Sequence, residues 1–92
     1  MDFNQVSKMI SSSGYKRTTS ARTMMDDEGN IQKVYDYECI RGFDMFSVYL
    51  DESGMVIAVE FTKVNFDRET RKLTPVVTKI DSMKSLKLHL KS

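Results

Sequence analysis

The chain contains one histidine and one cysteine, so the residues able to carry nucleophilic chemistry are few. His89 stands in "SLKLHLKS" among leucines and lysines, and Cys39 stands in "YECI" with no base near it along the chain. A nucleophile needs a base within hydrogen-bond reach, so Cys39 reads as a small strand residue. Carboxylates come as the pair Asp36 and Glu38 and as the run Asp26, Asp27 and Glu28. General acid–base work by paired carboxylates requires surroundings that drive their pKa values apart. Nothing in these stretches supplies such a pocket, and they are expected to be solvated strand and turn groups. "DDEGN" is also far shorter than the loop of an EF-hand, and a lone histidine and cysteine cannot form a zinc ligand cluster. The glycines at 14, 29, 42 and 54 stand too far apart to cradle a phosphate. The expectation is a non-catalytic protein with no metal or cofactor.

Charge remains, and with it surface recognition. Residues 1–25 carry four bases against one acid, residues 26–60 nine acids against two bases, and residues 61–92 eight bases against three acids, within a net charge of +1. If these segments stay apart in space the molecule is dipolar, with one face suited to a basic protein and another to phosphate. The cationic contact candidates are Lys16, Arg17 and Arg22 near the start, Arg68, Arg71 and Lys72 in "DRETRK", and Lys87, His89 and Lys91 at the end. Arginine suits bidentate contacts with phosphate or carboxylate. Asp26, Asp27 and Glu28 are the acidic candidates. A net charge of +1 is low for a nucleic-acid-binding domain, and no aromatic motif of the RNA-recognition type is present. Tyr35 and Tyr37 share strand parity with Ile31 and Cys39, which places them toward a core.

The elements that must position these groups follow from periodicity. Ninety-two residues suit a single domain, 1–92, and a domain of this size buries only about 60–65% of its unfolded surface, too little for a deep enclosed site. Asp2 with Gln5 forms a capping-box variant, Phe3, Val6 and Ile10 follow at helical spacing, and Gly14 provides a stop. Beyond it, strand formers fill "YKRTTSARTMM" at 15–25, and "DDEGN" and "DESG" read as hairpin loops in which Gly29 and Gly54 supply positive φ, with "DRETRK" as a third loop. "FDMFSVYL" is apolar on both faces and is expected to be central. Met55, Ile57, Val59 and Phe61 share a face while Val64 and Phe66 have opposite parity, which calls for a bulge near Thr62 or Lys63. Pro75 removes an amide donor, so its strand is expected at an edge or with that position offered to solvent. In "SLKLHLKS" a strand puts Leu86, Leu88 and Leu90 on one side and Lys87, His89 and Lys91 on the other, whereas a helix strands Leu88; a strand is expected. The fold class is therefore α+β, an N-terminal helix packed on an antiparallel meander of five or six strands. No apolar run is long enough to span a membrane, and no leader is evident, so the expected place of action is the cytosol.

The chain as a whole, beginning "MDFNQVSKMISSSGYKRTTSARTMMDDEGN", resembles the small phage- and prophage-encoded anti-CRISPR proteins, most of all inhibitors of the type I-F surveillance complex. The likeness spans the full length and rests on no single motif, so it transfers no residue roles. It implies a stoichiometric, non-catalytic inhibitor in the cytoplasm of an infected bacterium. Such a protein docks on the Cas subunits of a crRNA-guided complex, with its bases reaching guide phosphates, and prevents target DNA from binding or pairing. The alternative reading is a small nucleic-acid-binding regulator of phage origin.

Overall fold

Asp2 opens the first helix. Its carboxylate accepts a hydrogen bond from the Asn4 N–H (3.3 Å), satisfying a donor that a helix N-terminus leaves free, and α1 runs Phe3–Ser11. Val6 and Ile10 are fully buried, each contributing about 1.5–3 kcal/mol. Tyr37 Oη donates to Ser7 Oγ (2.7 Å) and pins the helix to the sheet. Gly14, at φ 91°, turns the chain out of α1 without the strain a side chain would bring there. The computed structural model describes residues 1–18 and 20–91. Thr19 and Ser92, which fall within the strands expected at 15–25 and 85–92, lie outside the described residues.

The stretch read as one first strand is two, β1 (Tyr15–Arg17) and β2 (Arg22–Met25), both antiparallel to β3 (Ile31–Cys39) and placed end to end along its outer edge. A meander follows through β4 (Met45–Leu50), β5 (Val56–Asp67) and β6 (Lys72–Ile80), giving the order β1-β3-β4-β5-β6 with β2 beside β3. The apolar strand β4 is central and the Pro75 strand β6 is an edge, as their composition required. Among the described residues the fold is α+β with a six-stranded antiparallel sheet.

The C-terminal segment corrects the expected strand. It is a second helix, α2 (Met83–Lys91), started by Ser82, whose Oγ accepts from the Ser85 N–H (3.1 Å) and whose carbonyl accepts from the Leu86 N–H (3.0 Å). The helix buries Leu86 completely, packs Met83 and Leu90 against the core and sets His89 over Phe46 and Phe61, at the cost of an exposed Leu88. Both helices cover one face of the sheet, where Tyr37, Phe46, Val48, Val59, Phe61 and Ile80 form the core.

The bulge also lies elsewhere than expected. Tyr49 pairs with Ala58 and Leu50 with Val56, so Ile57 is the extra residue, and pairing past Thr62 and Lys63 is regular. Val56, Val59 and Phe61 therefore face the core, while Val64 and Phe66 sit on the opposite face. One further feature is not predicted by any pattern. β4 pairs with β5 only as far as Thr62, yet β5 and β6 continue together to Asp67 and Lys72. Five further residue pairs, about 17 Å at the usual rise, extend as a two-stranded ribbon from a molecule measuring 45 × 29 × 24 Å.

Candidate functional site

Two turns with one chemistry mark the first surface. Asp26 Oδ1 accepts from the N–H groups of Glu28 (3.0 Å) and Asn30 (2.7 Å), and Asp51 Oδ1 accepts from those of Ser53 (2.9 Å) and Met55 (3.0 Å). Gly29 and Gly54 complete the pattern at φ 86° and 89°, each N–H donating back to the carbonyl of its aspartate. The N–H bonds from Asn30 hold the Asp26 carboxyl below the usual range, and the Ser53 side chain does the same for Asp51. Both turns lie at one end of the sheet and line one cleft of about 390 Å³, together with Ile31, Gln32, Glu52 and Ile57. Asp27 and Glu28 are exposed beside it. Of these carboxylates only Asp26, Asp27 and Glu28 were singled out from sequence. The repeated D-x-x-G spacing was the signal that also pointed to Asp51.

The ribbon forms the second surface. Residues alternate across it, so Val64, Phe66, Leu73, Pro75 and Val77 share the face away from the helices, with Phe66 opposite Leu73 and Val64 opposite Pro75. Phe66 and Leu73 are 55% and 54% exposed. Asp44, the residue just before β4 begins, accepts through Oδ1 from the Val64 N–H (3.1 Å) and steadies the base of the ribbon. At its tip Asp67 caps the turn through the Glu69 N–H (2.9 Å), and Arg71 adopts φ 57°, the one positive φ among the described non-glycine residues. An arginine there costs about 1 kcal/mol relative to glycine. Arg68, Arg71 and Lys72 thus stand together at the far end of the molecule, beyond an apolar strip that sequence parity misassigned.

The other cations take separate places. Lys16 lies opposite Glu38, and the Arg17 guanidinium carbon sits 5.2 Å from the centre of the Tyr35 ring. Arg22 is bound to a carboxylate: its Nε and Nη2 donate to Asp36 at 2.6 and 2.9 Å, and Ser47 Oγ donates to the same group at 2.8 Å. Asp36 is buried, which corrects the expectation of a solvated strand acid. Burial pushes its pKa up, but the bonds from Arg22 and Ser47 outweigh this and hold it below the ordinary value. The stripe expected from Lys87, His89 and Lys91 is divided. Lys87 and Lys91 line a crevice with Lys8 and Met9 where the two helices' C-terminal turns meet, while His89 packs on the core rings.

No protein-family model, no curated protein and no solved structure matches the chain. The site is accordingly read from its own chemistry. Among the described residues no group of three or more histidine, cysteine or acidic side chains is arranged to hold a metal ion, and no helix is long and apolar enough to cross a membrane.

Beside Arg22, the Tyr49 phenol is pushed up to about 12 by burial and by its hydrogen bond to Glu60. A raised phenol favours the neutral form in the folded state. Its stabilising contribution is therefore complete below the unfolded tyrosine value of about 10 and is lost as pH rises through the folded one. Titration of phenolate absorbance should resolve one tyrosine near 12 that disappears in Tyr49→Phe. A Tyr49→Phe variant with an unchanged titration curve would refute the assignment.

Proposed function

We propose that the protein is a non-catalytic inhibitor that docks on the Cas subunits of a type I-F crRNA-guided complex and blocks target DNA binding, acting in the cytoplasm of the infected bacterium. The observation that carries this reading is the projecting ribbon with its strip of exposed Phe66, Leu73, Pro75 and Val77 beside half-buried Val64. Contiguous exposed apolar surface of this kind marks a protein contact. The strip lies on hydrogen-bonded strands, so little ordering entropy opposes docking. The whole-chain resemblance supplies the identity of the partner. The purified surveillance complex, titrated with the protein, is expected to lose target DNA in a mobility-shift assay near one equivalent. Phe66→Asp and Leu73→Asp, both at exposed positions, should each weaken inhibition at least about tenfold by placing a charge in the desolvated contact. Undiminished DNA binding at excess protein would end this reading.

The strained Arg71 and its neighbours Arg68 and Lys72 favour one second reading, a nucleic-acid-binding regulator. Strain retained at an exposed tip is common where function requires the side chain. That reading requires the isolated protein to bind DNA or RNA with affinity that falls steeply with salt. Absence of binding at low salt would remove it.

A further inference from the structure

The cleft between the two acidic turns lies at the other end of the sheet from the ribbon's projection, and its floor is apolar. Ile31 and Ile57 line it at 46% and 47% exposure. Ile57 reaches it because it is the bulge residue: Val56 turns to the core, Ala58 pairs with Tyr49, and the extra residue is left with no strand partner. A bulge that re-aims an isoleucine toward solvent serves a contact rather than the core. Met25 and Met55, both exposed, flank the two turns, and methionine adapts to varied partner shapes.

The residues lining the cleft include no base, and the turn hydrogen bonds keep Asp26 and Asp51 ionised and fixed. A phosphate-bearing partner would be repelled, and a purely apolar one would leave the rim carboxylates desolvated and unpaired. The proximal carboxylate oxygens of Asp26 and Asp51 are already committed to backbone N–H groups, which leaves the cleft poorly suited to a bare cation.

We infer that this cleft is a second docking surface, which takes an apolar side chain flanked by lysine or arginine from an extended protein segment. The apolar residue rests on Ile31 and Ile57, and its basic neighbours meet Asp27, Glu28, Asp51 and Glu52. The inference goes beyond the ribbon reading and does not depend on which complex the ribbon binds.

The test uses the intact protein and two synthetic peptides, KKKLKKK and KKKSKKK, followed by amide NMR shifts. The leucine peptide is expected to bind about tenfold more tightly than the serine peptide, the difference that burying one leucine provides. Its largest shifts should fall at Ile31, Ile57 and the two turns. Ile57→Lys and Ile31→Lys should each abolish the preference, whereas Phe66→Asp should leave it intact, which separates this surface from the ribbon. Equal binding of the two peptides would mean simple charge attraction and would overturn the inference. So would shifts centred on the ribbon, or self-association in which a second copy's Arg68 and Arg71 occupy the cleft.

Discussion

Phe46→Ala is expected to lower the stability by about 3–5 kcal/mol, the usual range for removing a fully buried aromatic ring. Phe46 stands on the central strand β4 and is inaccessible to solvent. Its ring centre lies 4.8 Å from that of Tyr15, 4.8 Å from that of Phe61 and 5.8 Å from that of His89. One side chain therefore joins β1, β5 and α2, and its loss leaves a cavity that the hydrogen-bonded sheet on one side prevents from closing. A domain of this size has total stability of about 5–15 kcal/mol, so the variant loses a large fraction of it and should unfold at a clearly lower urea concentration. A conservative Phe46→Leu, which retains most of the volume, should cost under about 1.5 kcal/mol. Urea denaturation with a common slope checks both, and a Phe46→Ala loss below 1 kcal/mol would show that the ring cluster does not organise the core. The same ring explains why the half-buried His89 packs against Phe46 and Phe61 and does not join Lys87 and Lys91 in one outward stripe.

How far the fold could be read from the chain depends on whether a signal was local. The first helix is encoded by neighbours: Asp2 caps it, Val6 and Ile10 form its buried stripe and Gly14 ends it. The hairpins are similarly local, since Gly29 and Gly54 both take the positive φ that their D-x-x-G turns demand. The second helix was hidden because alternation of Leu86, Leu88 and Leu90 mimics a strand. What decides for the helix is a ring floor of Phe46 and Phe61 that receives His89, a contact between distant parts of the chain. The bulge was misplaced for a related reason. Parity alone assumes that Val64 and Phe66 must be buried, whereas the ribbon extends beyond β4 and leaves them on an uncovered face. Of the candidate contacts, those in turns, Asp27, Glu28, Arg68 and Arg71, are found exposed. Arg22 is committed across the sheet to Asp36, a pairing that register alone reveals.

Arg22→Ala is expected to cost about 2 kcal/mol at pH 7. Removing one partner from a fully buried ion pair costs about 3–5 kcal/mol, but here solvent screens part of the loss: the Arg22 side chain is 50% exposed and that of Asp36 only 12%. The cost arises because the Asp36 carboxylate would keep the Ser47 hydroxyl alone as its side-chain donor. The pH dependence distinguishes this from lost packing. The folded-state pKa of Asp36 lies below the unfolded value, so its contribution is present above about pH 4 and disappears as pH falls through the folded value. Without Arg22, burial becomes the dominant influence and raises the Asp36 pKa, so the variant takes up its proton sooner and is relieved of the buried charge. The stability gap between wild type and Arg22→Ala should therefore narrow as pH is lowered from 7 to 3. Asp26, Asp51 and Asp67 are also held below their ordinary values by turn hydrogen bonds. They destabilise both proteins in acid equally and cancel from the difference. A gap that stays constant over that range would mean that Arg22 acts through its aliphatic contacts, and that the Asp36 charge is not what the guanidinium holds in place.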